Sequence, residues 1–185
     1  MVVPDLPAPP PIRVATAADV PSLQRLIHSA YRGESSRAGW THEADLLDGN
    51  RIDEDMLRAE LADPGTTLFL TEDDAGPRGC CVVTDRGDGT AYFGTFAVRP
   101  AAQGGGLGDA LLRHAESHAR SLGARRMELT VVTQRADLIA WYARRGYTPT
   151  GETRPFPYGD ERFGRPRRDD LAFAVLVKPL PSPRG

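Results

Sequence analysis

Five of the six positions from Gln103 to Gly108 are Gln103, Gly104, Gly105, Gly106 and Gly108, with Leu107 between the last two. Glycine reaches backbone angles closed to other residues and lets a ligand approach the main chain. An apolar helical stripe follows, Leu111, Leu112, Ala115, Ala119 and Leu122. A helix N-terminus offers unpaired N–H groups and a partial positive charge. Together they make an anion site suited to phosphate. Taken only as structure, the same cluster is a flexible turn before a helix. A P-loop would need Gly-Lys-Ser/Thr, which the loop lacks. A dinucleotide fold would put Gly-x-Gly-x-x-Gly near the first strand, with an acidic residue about 20 positions on. Here the loop comes late, after three strand-like runs.

Other reactive side chains make weaker patterns. His28, His42, His114 and His118 have no metal spacing. His114 and His118 lie four apart on one helix, but no third ligand is evident. Cys80 and Cys81 are adjacent in a β-like run, so their side chains point to opposite faces and cannot easily bridge. They read as small apolar strand residues.

Several elements must position the loop. Ile12–Val14 is a short strand candidate. Asp19 can cap a helix that carries Val20, Leu23, Leu26, Ile27, Ala30 and Tyr31 at helical spacing. Glu34–Arg51 is ambiguous, and a short helix fits it. Asp53 can cap a helix through Met56, Leu57 and Leu61, stopped by Pro64-Gly65. Thr67–Glu72, Gly79–Thr84 and Ala91–Val98 read as strands joined by short turns, an antiparallel meander. After the loop and its helix come a strand, Arg126–Thr133, a helix, Ala136–Arg145, and a last strand, Leu171–Val177. Thr150–Arg168 is rich in Pro, Gly and Arg and reads as a loop. The strand–helix–strand unit wants a parallel pair with a right-handed crossover. The fold class expected is α+β (α/β).

A chain of 185 residues suggests one domain, here 12–180, after a flexible Pro-rich segment 1–11. Apolar residues make up 40% and charged residues 26%, ordinary for a globular protein. A formal net charge of −2 argues against a broad grip on nucleic acid. No apolar run approaches the roughly 20 residues that cross a membrane. Adjacent unpaired cysteines suit a reducing compartment, so a cytoplasmic location is expected.

The chain resembles the GNAT acetyltransferases. Gln103-x-x-Gly106-x-Gly108 is similar to their Gln/Arg-x-x-Gly-x-Gly/Ala signature. Phe96-Ala97-Val98-x-Pro100 resembles the strand before it. Leu138-Ile139-Ala140-Trp141-Tyr142-Ala143-Arg144-Arg145-Gly146-Tyr147 resembles the second signature, a helix bearing a Tyr four residues before Gly-Phe/Tyr. The likeness covers roughly residues 12–180. It implies the GNAT fold: a mixed central sheet with an antiparallel N-terminal meander, a parallel splayed strand pair and flanking helices.

The resemblance also implies acetyl-CoA as the acyl donor and a small-molecule or peptide amine as acceptor, in a monomer or homodimer. The pyrophosphate would sit on the N–H groups of Gln103, Gly104, Gly105, Gly106, Leu107, Gly108 and Asp109. The pantetheine arm would pair with Phe96, Ala97 and Val98. The Phe96 N–H would stabilise the oxyanion, and Tyr142 would protonate the departing thiolate. Trp141 is expected in the core. Many relatives carry a Glu on the strand before the loop, but Ala91–Val98 has no carboxylate; that place falls near Tyr92. Ordered water acting with Glu43, Asp45 or Glu128 is the expected base. Trp40, Tyr92, Glu128, Arg135, Phe156 and Tyr158 are expected on the acceptor side. Transfer of a longer acyl group or to a protein amine is one alternative. A non-catalytic acyl-CoA-binding or sensing module is another.

Overall fold

The computed structural model describes residues 11–49 and 51–182. The expected lead-in 1–11 therefore lies, but for Pro11, outside the described residues. The helices are α1 (Val20–Tyr31), α2 (Gly33–Ser36), α3 (Glu54–Ala62), α4 (Leu107–Ser121) and α5 (Ala136–Ala143). The strands are β1 (Arg13–Val14), β2 (Leu47–Asp48), β3 (Thr66–Asp73), β4 (Gly76–Asp85), β5 (Thr90–Val98), β6 (Arg126–Val132), β7 (Thr148–Pro155), β8 (Arg165–Pro166) and β9 (Ala172–Pro179).

Seven strands form one sheet in the order β1-β3-β4-β5-β6-β9-β7, and β2 pairs with β8. Among the described residues only β5 and β6 run parallel; every other pair is antiparallel. The meander and the parallel pair are thus as expected. Helix α1 buries Val20, Leu23, Leu26, Ile27 and Ala30 against one face of the sheet. Each of its Val, Leu and Ile side chains contributes about 1.5–3 kcal/mol on burial. That exceeds any propensity term, so docking is what holds the helix. Asp53 caps α3 by accepting from the Met56 N–H at 2.8 Å. The other face receives Leu107, Leu111, Leu112, Ala115 and Ala119 of α4. Cys80 faces the α1 side and Cys81 the α4 side; both are free and buried.

One expectation fails. Residues 148–155 are strand β7, not loop. The strand lies at the sheet edge, and all but one of its residues are exposed. Its register against β9 shifts between Pro149 and Thr153. An edge strand that buries neither face has no reason to alternate apolar and polar residues, so periodicity cannot mark it. Residues 165–166 within the same expected loop form β8.

Two irregularities shape the site. The β5–β6 pairing spans only Thr90↔Arg126, Ala91↔Met127 and Tyr92↔Glu128. Beyond Tyr92 the strands part, while β6 keeps pairing with β9 along its whole length. On its other side β5 slips register between Cys80↔Ala97 and Val82↔Gly94. Thr95 and Phe96 therefore oppose Cys81 alone, a β-bulge. Thr95 sits there with φ +44°, the one positive φ among described non-glycine residues.

Candidate functional site

The Gly-rich loop leaves β5, passes a short turn at Pro100–Ala102 and enters α4. Gly104 and Gly106 both have φ +83°, and Gly106 is the N-cap of α4. A Cβ built on either meets no atom within 4 Å, so the main chain is bare on that side. No backbone carbonyl among the described residues accepts from Gly104, Gly105 or Gly106. The N–H groups of Leu107, Gly108 and Asp109 form the first turn of α4 and have no partner four residues back. Gly108 serves packing instead. A Cβ there would meet Phe96 Cζ at 3.2 Å and Trp141 Cζ2 at 3.6 Å.

The Gln103 side chain is a brace. Its Nε2 donates to Val98 O at 3.1 Å, and its Oε1 accepts from Thr41 N–H at 3.3 Å. It ties the loop to the end of β5 and to the segment after α2. Asp109 accepts from Arg145 Nε at 3.0 Å, and that guanidinium lies 3.6 Å from the Trp141 ring centroid.

The loop opens on a cavity of about 230 Å³ walled by Trp40, Phe96, Val98, Leu138 and Trp141. Trp141 is half-buried on this wall rather than sealed in the core. Trp40 is 46% exposed and lies on the same side, 6.4 Å from Trp141 between ring centroids. Bare N–H groups, a helix N-terminus and an apolar slot beside an unpaired strand edge fit a pyrophosphate followed by a thin chain.

A second cavity of about 380 Å³ occupies the split between β5 and β6. It shares Tyr31, Phe96 and Leu138 with the first, so the two adjoin at the bulge. Tyr92, Tyr142 and Glu43 line it. The Tyr92 hydroxyl is 2.8 Å from Thr130 Oγ1 and bridges the parting strands. Burial pushes the Tyr142 phenol well above its ordinary value, so it stays protonated. Burial also raises Glu43, but Arg51 and Arg32 outweigh it and hold the carboxyl below its ordinary range. Glu43 accepts from Arg32 Nη1 at 2.7 Å.

Of the other expected acceptor-side residues, Glu128 is bound by Arg86 at 2.8 Å and Arg154 at 2.9 Å. Asp45 pairs with Arg37 at 2.8 Å. Arg135 is buried, bonded to Thr41 and Asp137, in a side groove with Glu43 and Trp40. Phe156 is buried beside Leu47, Val132 and Leu171, and Tyr158 OH braces Arg168 O and Leu171 N. From that segment it is Pro157 and Phe163 that reach the cavity.

Among the cavity residues that were missed, Tyr31 and Glu60 carry hydroxyl and carboxyl groups. Tyr31 sits where both cavities meet, and its hydroxyl donates to Phe96 O. Burial raises its pKa to about 12. Glu60 of α3 also lines the second cavity. It falls among Met56, Leu57 and Leu61 on one helix face, and a carboxylate inside an apolar stripe was the signal available.

A glycine-rich turn at a helix N-terminus opens onto a split sheet with a second cavity across the split, and the family match makes the protein an acyltransferase of a family that uses acyl-CoA substrates. The model of the acetyltransferase (GNAT) family matches residues 23–147, and the chain belongs to that family. Solved structures agree at the level of the fold. The ribosomal-protein-S18-alanine N-acetyltransferase from Escherichia coli superposes with TM-score 0.68 at 19% identity, over 95% of this chain and 96% of that one. The ribosomal-protein-alanine N-acetyltransferase from Brucella melitensis gives 0.67 at 20%, over 92% and 99%. Nourseothricin acetyltransferase gives 0.55 at 27%, over 64% and 68%. No curated protein sequence matches the chain. No described helix is long and apolar enough to cross a membrane.

Proposed function

We propose that this chain transfers an acetyl group from acetyl-CoA to a primary amine by direct attack within a ternary complex. The observation that carries the reading is the meeting of two cavities at Phe96, one entered from the Gly-rich loop and one from the opposite side of the split. Donor and acceptor can then be bound together, which turns a bimolecular encounter into a positioned one. When bound, the donor supplies a thioester carbonyl and a thiolate leaving group.

The loop N–H groups from Gln103 to Asp109 hold the pyrophosphate. Phe96, Ala97 and Val98 present the strand edge left by the splay to the pantetheine amides. The Phe96 N–H, on the bulge, is placed to donate where negative charge develops on the carbonyl oxygen. Tyr142, held protonated by burial, donates its hydroxyl proton toward the leaving sulfur. The acceptor enters past Pro157 and Phe163. Residues 12–180 act as one domain, since one sheet takes strands from Arg13 through Pro179. Two free buried cysteines fit a cytoplasmic location.

Thiol release from acetyl-CoA is the test, run over ethylamine, ethanolamine, lysine and peptides with a free N-terminus. Release that depends on one of these amines supports the reading. Calorimetric CoA binding with no amine-dependent release would replace it with the non-catalytic binding module. Faster release from a longer acyl-CoA would replace the acetyl specificity.

A further inference from the structure

We propose that Glu60 receives the acceptor's ammonium group and takes its proton before attack. The inference rests on the transfer reading above and supplies the base that β5 lacks.

Glu60 projects from α3 into the acceptor-side cavity. Its Oε1 accepts from Thr95 Oγ1 at 2.8 Å. Its Oε2 is buried and has no partner among the described residues. A buried carboxylate that serves only the fold is paired, because an ionised oxygen without a donor is costly. Here one oxygen is left without a donor beside a cavity that Glu60 lines. Thr95 is the residue before Phe96, so the carboxylate is fixed one residue from the expected oxyanion donor. Thr95 also holds the positive φ, a conformation that costs about 1–3 kcal/mol and persists where its surroundings enforce it. The Cys80 thiol donates to Thr95 O at 3.5 Å and Glu60 takes its hydroxyl, so both of its polar ends are held.

The other carboxylate on the cavity is unsuited. Glu43 is ion-paired to Arg32 and held below its ordinary range. Around Glu60 stand Thr95, the guanidinium of Arg51 and the thiol of Cys80, with Glu43, Tyr31, Tyr92 and Tyr142 elsewhere on the walls. Burial raises the Glu60 carboxyl more than the Thr95 bond and Arg51 lower it, so it lies above its ordinary value. That moves it toward the range where a carboxylate works as a base near neutral pH. The protons balance. One ammonium proton passes to Glu60 and leaves the neutral amine. The amine nitrogen then bonds the acyl carbon as the carbon–sulfur bond breaks. A second nitrogen proton ends on the sulfur by way of Tyr142, and Glu60 returns its proton to water.

The experiment compares wild type with Glu60→Gln and Thr95→Val. Three readouts are taken: the pH profile of kcat/KM by thiol release, CoA affinity by calorimetry, and the 13C side-chain carboxyl signals of labelled Glu. In Glu60→Gln we expect unchanged CoA affinity and a roughly 10²–10⁴-fold fall in kcat/KM. The acid limb should vanish, leaving a rate that climbs with pH as free amine accumulates. In wild type, the carboxyl signal absent from Glu60→Gln should titrate above 4.5, the ordinary value. In Thr95→Val it should titrate higher still, because the bond from Thr95 stabilises the charged form. A Glu60→Gln enzyme with the wild-type profile overturns the proposal. So does a Glu60 signal titrating at or below 4.5, whether or not any amine is turned over. Absent thiol release alongside a raised Glu60 signal counts against the transfer reading alone. Folding of Glu60→Gln is favoured. A folded pKa above the unfolded one means that ionised Glu60 lowers stability as pH rises through the folded value. The variant should therefore melt at or above wild type at pH 7.

Discussion

Gly106→Val separates the cradle from mere backbone strain, because α4 carries a matched control. Gly106 at its start has φ +83° and Gly123 just past its end has φ +84°. A Cβ at either position meets nothing within 4 Å. Valine therefore brings the same fault to both: a β-branched residue in the left-handed region, at about 1–3 kcal/mol. At roughly 2–4 °C per kcal/mol for a chain of this size, both variants should melt about 2–12 °C lower. Only Gly106 lines the cavity of the Gly-rich loop. There the added isopropyl group stands between the phosphate and the N–H groups. Hydrogen bonds to a charged group are worth about 1.5–3 kcal/mol each, so losing two weakens binding by about 3–6 kcal/mol. That is roughly 10²–10⁴-fold in affinity. Calorimetry with CoA on both purified variants is the assay. Wild-type affinity in Gly106→Val refutes the cradle. An equal loss in Gly123→Val would show that strain, not access, weakens binding.

Three further outcomes follow from other contacts. Tyr142→Phe should lower kcat by at least about 10²-fold and leave CoA affinity within about twofold, as read by thiol release and calorimetry; an unchanged kcat removes Tyr142 from the chemistry. Gln103→Ala deletes the brace to Val98 and Thr41, each bond worth about 1 kcal/mol, and should weaken CoA binding by roughly tenfold without changing which acyl-CoA is preferred. Glu43→Gln breaks the buried pair with Arg32 and should cost about 3–5 kcal/mol in urea unfolding at pH 7. Because the folded Glu43 pKa is depressed, that pair's contribution is present above 4.5 and lost as pH falls through the folded value, so wild type and variant should converge in acid.

The loop was legible because its demands are local. A positive φ at Gly104 and Gly106 and a following helix are written in consecutive residues. The apolar stripes of α1 and α4 and the continuous apolar runs of β3 and β4, buried on both faces, were equally readable. Strand β7 was not, because an exposed edge leaves no pattern.

The sequence alone thus determined the family, the meander and the glycine-rich loop with its following helix, which depend on neighbours along the chain. Only the tertiary structure decided which side chains face the split. Glu128 sits on the strand beside it yet is consumed by Arg86 and Arg154. Glu60 lies 35 residues before Thr95 and meets it only because α3 packs across the sheet at the bulge. Trp40 and Trp141 came to wall the cavity beside the Gly-rich loop by the same folding. Partners that distant are set by where β5 and β6 part, and no local spacing carries that information.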